Sequence, residues 1–115
     1  MPDMNFVPPS ILEKLANLKP YILMLLKKGP LYNSPDAQKI IQSEHLPYLF
    51  KLREEGIVAI SIPVRNNTDI AAITVYTITG KDDIKKIADE DPGVKKGLFV
   101  YELLNCIGMK GDTLT

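Results

Sequence analysis

Several things are scarce in this chain of 115 residues, and each scarcity excludes a class of protein. There is one cysteine, so neither an intrachain disulfide framework nor a multi-cysteine zinc site is available. One histidine leaves too little imidazole for an ordinary transition-metal centre, and no metal site is expected. Fourteen basic and fourteen acidic residues cancel, so no overall positive field exists to hold a phosphate backbone or an anionic membrane. No run approaches the roughly 20 apolar residues needed to span a bilayer. The opening "MPDMNFVPPS" lacks the basic start and unbroken apolar stretch of a signal peptide. A cytoplasmic location, with neither nucleic acid nor membrane as partner, is the expectation.

What is present is ordinary for one small globular domain: 45% hydrophobic and 24% charged residues, enough for one two-layer core. Ser10 and Glu13 have capping-box spacing and predict a short helix over "SILEKLANL". A buried strand, "YILMLLKKG", ends at Gly29-Pro30. Ser34 as N-cap and Pro35 in the first position predict a long helix to Glu55, stopped by Gly56. Pro47 predicts a kink or a break nearby in that helix, because it cannot donate to the carbonyl of Ser43. "IVAISIP", a turn at Asn66-Asn67 and "DIAAITVYTI" read as two further strands. Thr79 and Asp82 repeat the capping-box spacing before "DIKKIAD", and Asp91-Pro92 opens a last helical turn before the strand "LFVYELLNCI".

After the leading helix the order is strand, helix, strand, strand, helix, strand. This is the α+β ferredoxin-like βαββαβ sandwich, with two helices on one face of an antiparallel sheet. The expected division is an N-terminal extension over 1–19, the ferredoxin-like domain over 20–107 and a polar tail over 108–115. A sheet covered on one face should alternate apolar and polar residues, and these strands do not. Tyr21, Leu23 and Leu25 oppose Ile22, Met24 and Leu26. The uncovered apolar face predicts a homodimer formed sheet to sheet. Cys106, in the apolar run "LFVYELLNCIG", is expected to be a small buried hydrophobe.

On a helix of 3.6 residues per turn, Ile41, His45, Tyr48, Leu49 and Leu52 fall within an arc of about 100°, directing His45 toward the sheet. There it is either a core histidine held by a carbonyl or carboxylate, or a proton-transfer group whose tautomer a carboxylate fixes. Asp91 is the best-placed acid, and helix capping at Pro92 is its alternative role.

From about Tyr21 to Leu104 the chain resembles the YCII-related family. The matching pieces are "YILMLLKKGP", "EHLPYLFKLREEG", the apolar third strand and "ADEDPGVKKG", in that order. The resemblance implies a dimeric alpha-beta barrel paired through its sheets, and an active-site pair mapping onto His45 and Asp91. Gly56 matches the glycine that ends the helix, and Gly97 the one that opens the last strand. The sequence departs from the pattern at Ile62, where members carry glycine before the proline matched by Pro63, and a side chain there is expected to narrow the pocket. Ser61, Ile62 and Pro63 are the expected pocket residues. The chain has no phosphate loop or dinucleotide fingerprint, so no cofactor is expected. The remaining chemistry is proton transfer on a small organic molecule, by an isomerase- or lyase-like enzyme. The alternative is a homodimer that binds a small ligand or serves as a structural module without turnover.

Overall fold

The computed structural model describes residues 4–115. Four strands and their helices alternate along the chain: α1 Pro9–Leu15, β1 Leu18–Lys28, α2 Ala37–Ile40, α3 Leu46–Glu54, β2 Val58–Pro63, β3 Ile70–Tyr76, α4 Lys81–Asp89, α5 Pro92–Lys95 and β4 Phe99–Met109. A π-helical turn, Ile41–His45, joins α2 to α3. The sheet order is β2-β3-β1-β4 and every pairing is antiparallel. This is the ferredoxin-like α+β fold.

The core lies between the helices and one face of the sheet. Ile22, Met24 and Leu26 of β1 alternate inward. They meet Leu52 of α3, Ile84 and Ala88 of α4 and Phe99 of β4. Ile84 is wholly buried, and such a side chain contributes about 1.5–3 kcal/mol by leaving water. Close approach replaces side chain at Gly29, where a Cβ would lie 2.6 Å from the carbonyl oxygen of Gly97. Gly56 (φ 75°) and Gly97 (φ 76°) occupy left-handed backbone at the end of α3 and ahead of β4. Asn66 turns the β2–β3 connection at φ 58°, and the Asn67 side chain accepts from the N–H groups of Asp69 and Ile70.

Two local expectations are corrected. Neither capping box forms: α1 starts after Pro8 and α4 after Gly80, without a side-chain cap at either. Proline at the start of α1 already supplies the right φ and needs no N–H partner there. The long helix starts at Ala37, two residues later than Pro35, because Ser34 ends a turn in which its carbonyl accepts from Ala37. Pro47 was expected to kink or break the helix nearby, and the α-helix is interrupted there by the π-helical turn Ile41–His45. The strain is taken up one turn earlier, where Leu46 N–H reaches back five residues to Ile41. A wider turn removes the clash between a proline ring and the carbonyl four residues behind it.

The strands also run further than expected. β1 begins at Leu18, and β4 continues to Met109. The β1–β4 ladder extends from Leu18↔Met109, whereas β3 reaches β1 only at Ile22. Pro20 is tolerated here because β1 lacks a neighbour on its β3 side at that point. The result is a two-stranded ribbon projecting from the sheet, with α1 at its end. No residue of α1 is buried, and Ile11 and Leu12 are exposed. The extents of 56 × 29 × 29 Å reflect this arm.

The face of the sheet away from the helices carries two continuous rows, Ile60–Val75–Leu23–Leu104 and Ile62–Ile73–Leu25–Glu102. Nothing in the chain's own described fold layers over them, and Ile62 and Leu104 are 41% and 40% exposed. Cys106, expected to be buried, is half-buried on this face, opposite Tyr21, with its thiol donating to the Tyr21 carbonyl.

Candidate functional site

The π turn ends at His45, and Asp91 caps the start of α5; the fold brings these two element ends together. His45 Nδ1 lies 2.7 Å from Asp91 Oδ2 and 3.0 Å from Oδ1, with both residues 7% exposed. An ionised carboxylate offers only acceptors, so this contact places the imidazole proton on Nδ1. Asp91 Oδ1 also accepts from Gly93 N–H at 2.8 Å, capping α5. The two roles weighed for Asp91 are therefore compatible, and the cap is what aims the carboxylate. Pro92 fixes the backbone at the first helical position.

The ring of His45 also packs on Phe99, with centroids 4.8 Å apart. Phe99 in turn lies against Gly93: a Cβ there would come within 2.7 Å of the phenyl ring and 3.3 Å of Asp91 Oδ1. Gly93 thus leaves room for both contacts of the histidine. Nε2 has no hydrogen-bond partner among the described residues. It is not sealed either, since no fully buried side-chain nitrogen or oxygen lacks a partner there.

His45 lines a cavity of about 240 Å³ between the helices and the sheet. Its walls are mainly apolar, from Ile41, Leu49 and Leu52 on the helical side to Leu26 and Ala72 on the sheet. His45 and Asp91 both line it, as do Ser61 and Pro63. Ile62 does not, contrary to expectation; it pairs with Ile73 on the opposite face of the sheet. The cause is a bulge between Val58 and Ile60. Strict alternation from Val58 would turn Ile60 and Ile62 toward the helices. The extra residue reverses the parity and turns Ser61 and Pro63 there instead.

Other polar groups on the walls are largely spent on the protein. Tyr48 donates to the carbonyl of Ile87 at 2.7 Å, and Tyr76 reaches Met24 Sδ. Burial, followed by the nearby carboxylates of Glu90, Asp91 and Glu55, pushes the Tyr48 phenol up to about 12. Burial raises Tyr76 as well. Both stay protonated donors at any physiological pH. Thr74 was not anticipated from the sequence. It is 2% exposed, lines the cavity and lies 3.3 Å from Ser61 across the β2–β3 pair. Only the register of the two strands, bulge included, could have revealed it. Among the described residues no three His, Cys, Asp or Glu side chains cluster as a metal site, and no helix is long and apolar enough to cross a membrane.

No protein-family model matches the chain, and no curated protein matches it in sequence. Solved structures do. A 5-chloro-2-hydroxyhydroquinone dehydrochlorinase from Burkholderia phenoliruptrix, in complex with 2,5-dihydroxybenzoquinone, superposes over 73% of this chain and 90% of its own, with TM-score 0.55 and 20% identity. A dimeric ferredoxin-like protein from an uncultured marine organism covers 84% of this chain and 99% of its own, at TM-score 0.42 and 16% identity. The likeness is one of fold. At 20% identity the match to the dehydrochlorinase carries the fold and nothing finer.

Proposed function

We propose that this protein is a small-molecule enzyme of the YCII-related kind, using His45 as general base and acid with Asp91 as the carboxylate that orients it. One observation carries the reading: the ring is held at Nδ1 by Asp91, while Nε2 is unpaired and borders a cavity. A merely structural histidine has no need of that second, open nitrogen. Asp91 fixes the neutral tautomer with its lone pair on Nε2 and stabilises the imidazolium that forms when a proton arrives.

The step is a proton transfer. Nε2 takes a hydrogen from the ligand and the electron pair of the broken bond stays with the ligand. That pair then either accepts the proton back at another atom, an isomerisation, or expels a leaving group, an elimination. The dehydrochlorinase that shares the fold performs, by its name, a reaction of the second kind. Carbon acids are suitable probes: deuterium exchange from D₂O into cyclic ketones and lactones, followed by NMR, should be accelerated by the wild type. His45→Gln should lower that rate by roughly 10²–10⁴. Tight binding without any acceleration would select the second reading, a non-catalytic ligand-binding protein, which the apolar walls and absence of a lining lysine or arginine favour.

We also propose that the protein acts as a homodimer, paired through the apolar rows of the open sheet face. The aliphatic side chains of the two rows, bounded at one corner by Glu102, form a patch of the kind monomers seldom leave in water. A second copy presents the same surface and closes both at once.

A further inference from the structure

We infer that the Ser61–Thr74 hydroxyl pair is the second anchor of the cavity. The ligand class that follows is an uncharged small molecule with an ionisable hydrogen at one end and a carbonyl or hydroxyl oxygen at the other. The inference rests on the proton-transfer reading of His45 and deepens it.

Proton counting supplies the anchor. The two hydroxyls carry two hydrogens and share one contact, at 3.3 Å. Whichever oxygen donates to the other, the acceptor's own hydrogen has no acceptor among the described residues. It lies in the wall of the cavity, on the sheet, beside one of the most buried polar residues of the chain. A ligand oxygen is the partner that hydrogen lacks. The tyrosines that also line the cavity do not compete, because Tyr48 and Tyr76 already donate to protein atoms. Gln38 is exposed, and Tyr32 is half-buried like Ser61, so of the hydroxyls without a protein acceptor only that of Thr74, 2% exposed, is shut from solvent.

Charge selects the ligand class. No lysine or arginine lines the cavity, and its only acidic side chain is Asp91, already bound to His45 and Gly93 N–H. A carboxylate or phosphate would be desolvated there without a cation and would face a like charge. A neutral acid escapes both costs, since it becomes anionic only by handing its proton to His45 and is then paired with the imidazolium. The volume, about 240 Å³, is below the range of about 300–1,000 Å³ typical of sites for drug-sized ligands, which limits the ligand to little more than a single ring.

Three aromatic probes of matched size separate the parts of this claim. 4-Hydroxyacetophenone is neutral at pH 6.5 and has both an O–H and a carbonyl; 4-hydroxybenzoate replaces the carbonyl end by a carboxylate; 4-ethylphenol has no oxygen at that end. Each is titrated into the protein while the single imidazole is followed by NMR. The neutral ketone should bind at least tenfold more tightly than the benzoate. Thr74→Val, which keeps the shape, and Ser61→Ala should each weaken the ketone by roughly five- to tenfold and leave 4-ethylphenol unchanged. Ser61 is the less buried of the two, so its variant remains informative should Thr74→Val fold poorly. Equal or tighter binding of the benzoate, or indifference of the ketone to the variants, overturns the hydroxyl anchor while the His45 response keeps the proton-transfer reading alive. If none of the three probes moves the His45 resonance, both fall together.

Discussion

The two faces of this sheet are built from the same aliphatic residues and end in different states. Toward the helices, Ile22, Met24, Leu26 and Phe99 are buried beneath Ile84 and Leu52. The layer is propped open only where Ser61, Thr74, His45 and Asp91 meet a cavity. On the other side, Leu23, Leu25, Val75 and Leu104 form rows that the chain leaves uncovered. The difference teaches that hydrophobicity assigns neither face its role. Cover decides that, and a polar residue acquires meaning only on the face where cover and space coexist.

The comparison can be broken hardest on the open face. Leu23 sits in the middle of a four-strand row, so Leu23→Glu would set two like charges against an apolar interface in the proposed dimer. The expected outcome in sedimentation velocity is a dimer for the wild type and loss of that dimer for the variant. A wild type that sediments as a monomer at micromolar concentration would break the comparison outright. On the covered face, Gly93→Ala should cost about 1–3 kcal/mol of stability in urea unfolding, as overpacking does. The new methyl meets the Phe99 ring and Asp91 Oδ1, so the imidazole resonance should shift even where the fold persists. An unmoved resonance would mean that Phe99 does not support His45.

The smallest effect lies at alkaline pH. Tyr48 titrates near 10 in the unfolded chain and is pushed up to about 12 in the fold. Above pH 10 the unfolded state therefore binds fewer protons than the native one, and stability falls as pH rises from about 10 toward 12. Below pH 10 the group contributes no slope. Tyr48→Phe should flatten part of this decline, measured as the urea midpoint at pH 9 and pH 11; an unchanged slope would place the decline on other groups such as Tyr76, which burial also raises.

The fold was readable because its signals are local and redundant. The apolar runs place four strands in the right order, and Gly56 after the helix and the Asp91-Pro92 step each predict a boundary or turn that the backbone confirms. The facing of His45 followed from helical spacing, and its pairing with Asp91 from the combination of that facing with the family resemblance. What stayed hidden depends on one-residue register. The bulge before Ile60 removes Ile62 from the cavity, keeps the expected Ser61 and Pro63 there and sets Ser61 opposite Thr74. The break expected near Pro47 takes the form of a π turn, a detail that residue spacing does not specify. Likewise α1 satisfies its apolar spacing without finding a surface, because a seven-residue helix at the end of a ribbon has no core of its own chain within reach.

The central claim is that Asp91 keeps the proton on Nδ1 of His45 and leaves the Nε2 lone pair to the cavity. Long-range ¹⁵N–¹H correlation of this single imidazole, recorded at alkaline pH in wild type and Asp91→Asn, reads the tautomer directly. Asparagine can still cap Gly93 with its oxygen, so the fold should hold. Its amide would then donate to Nδ1 and move the ring proton to Nε2. The account predicts the Nδ1–H form in the wild type and the Nε2–H form in the variant. An Nε2–H wild type, or the same tautomer in both proteins, would contradict it.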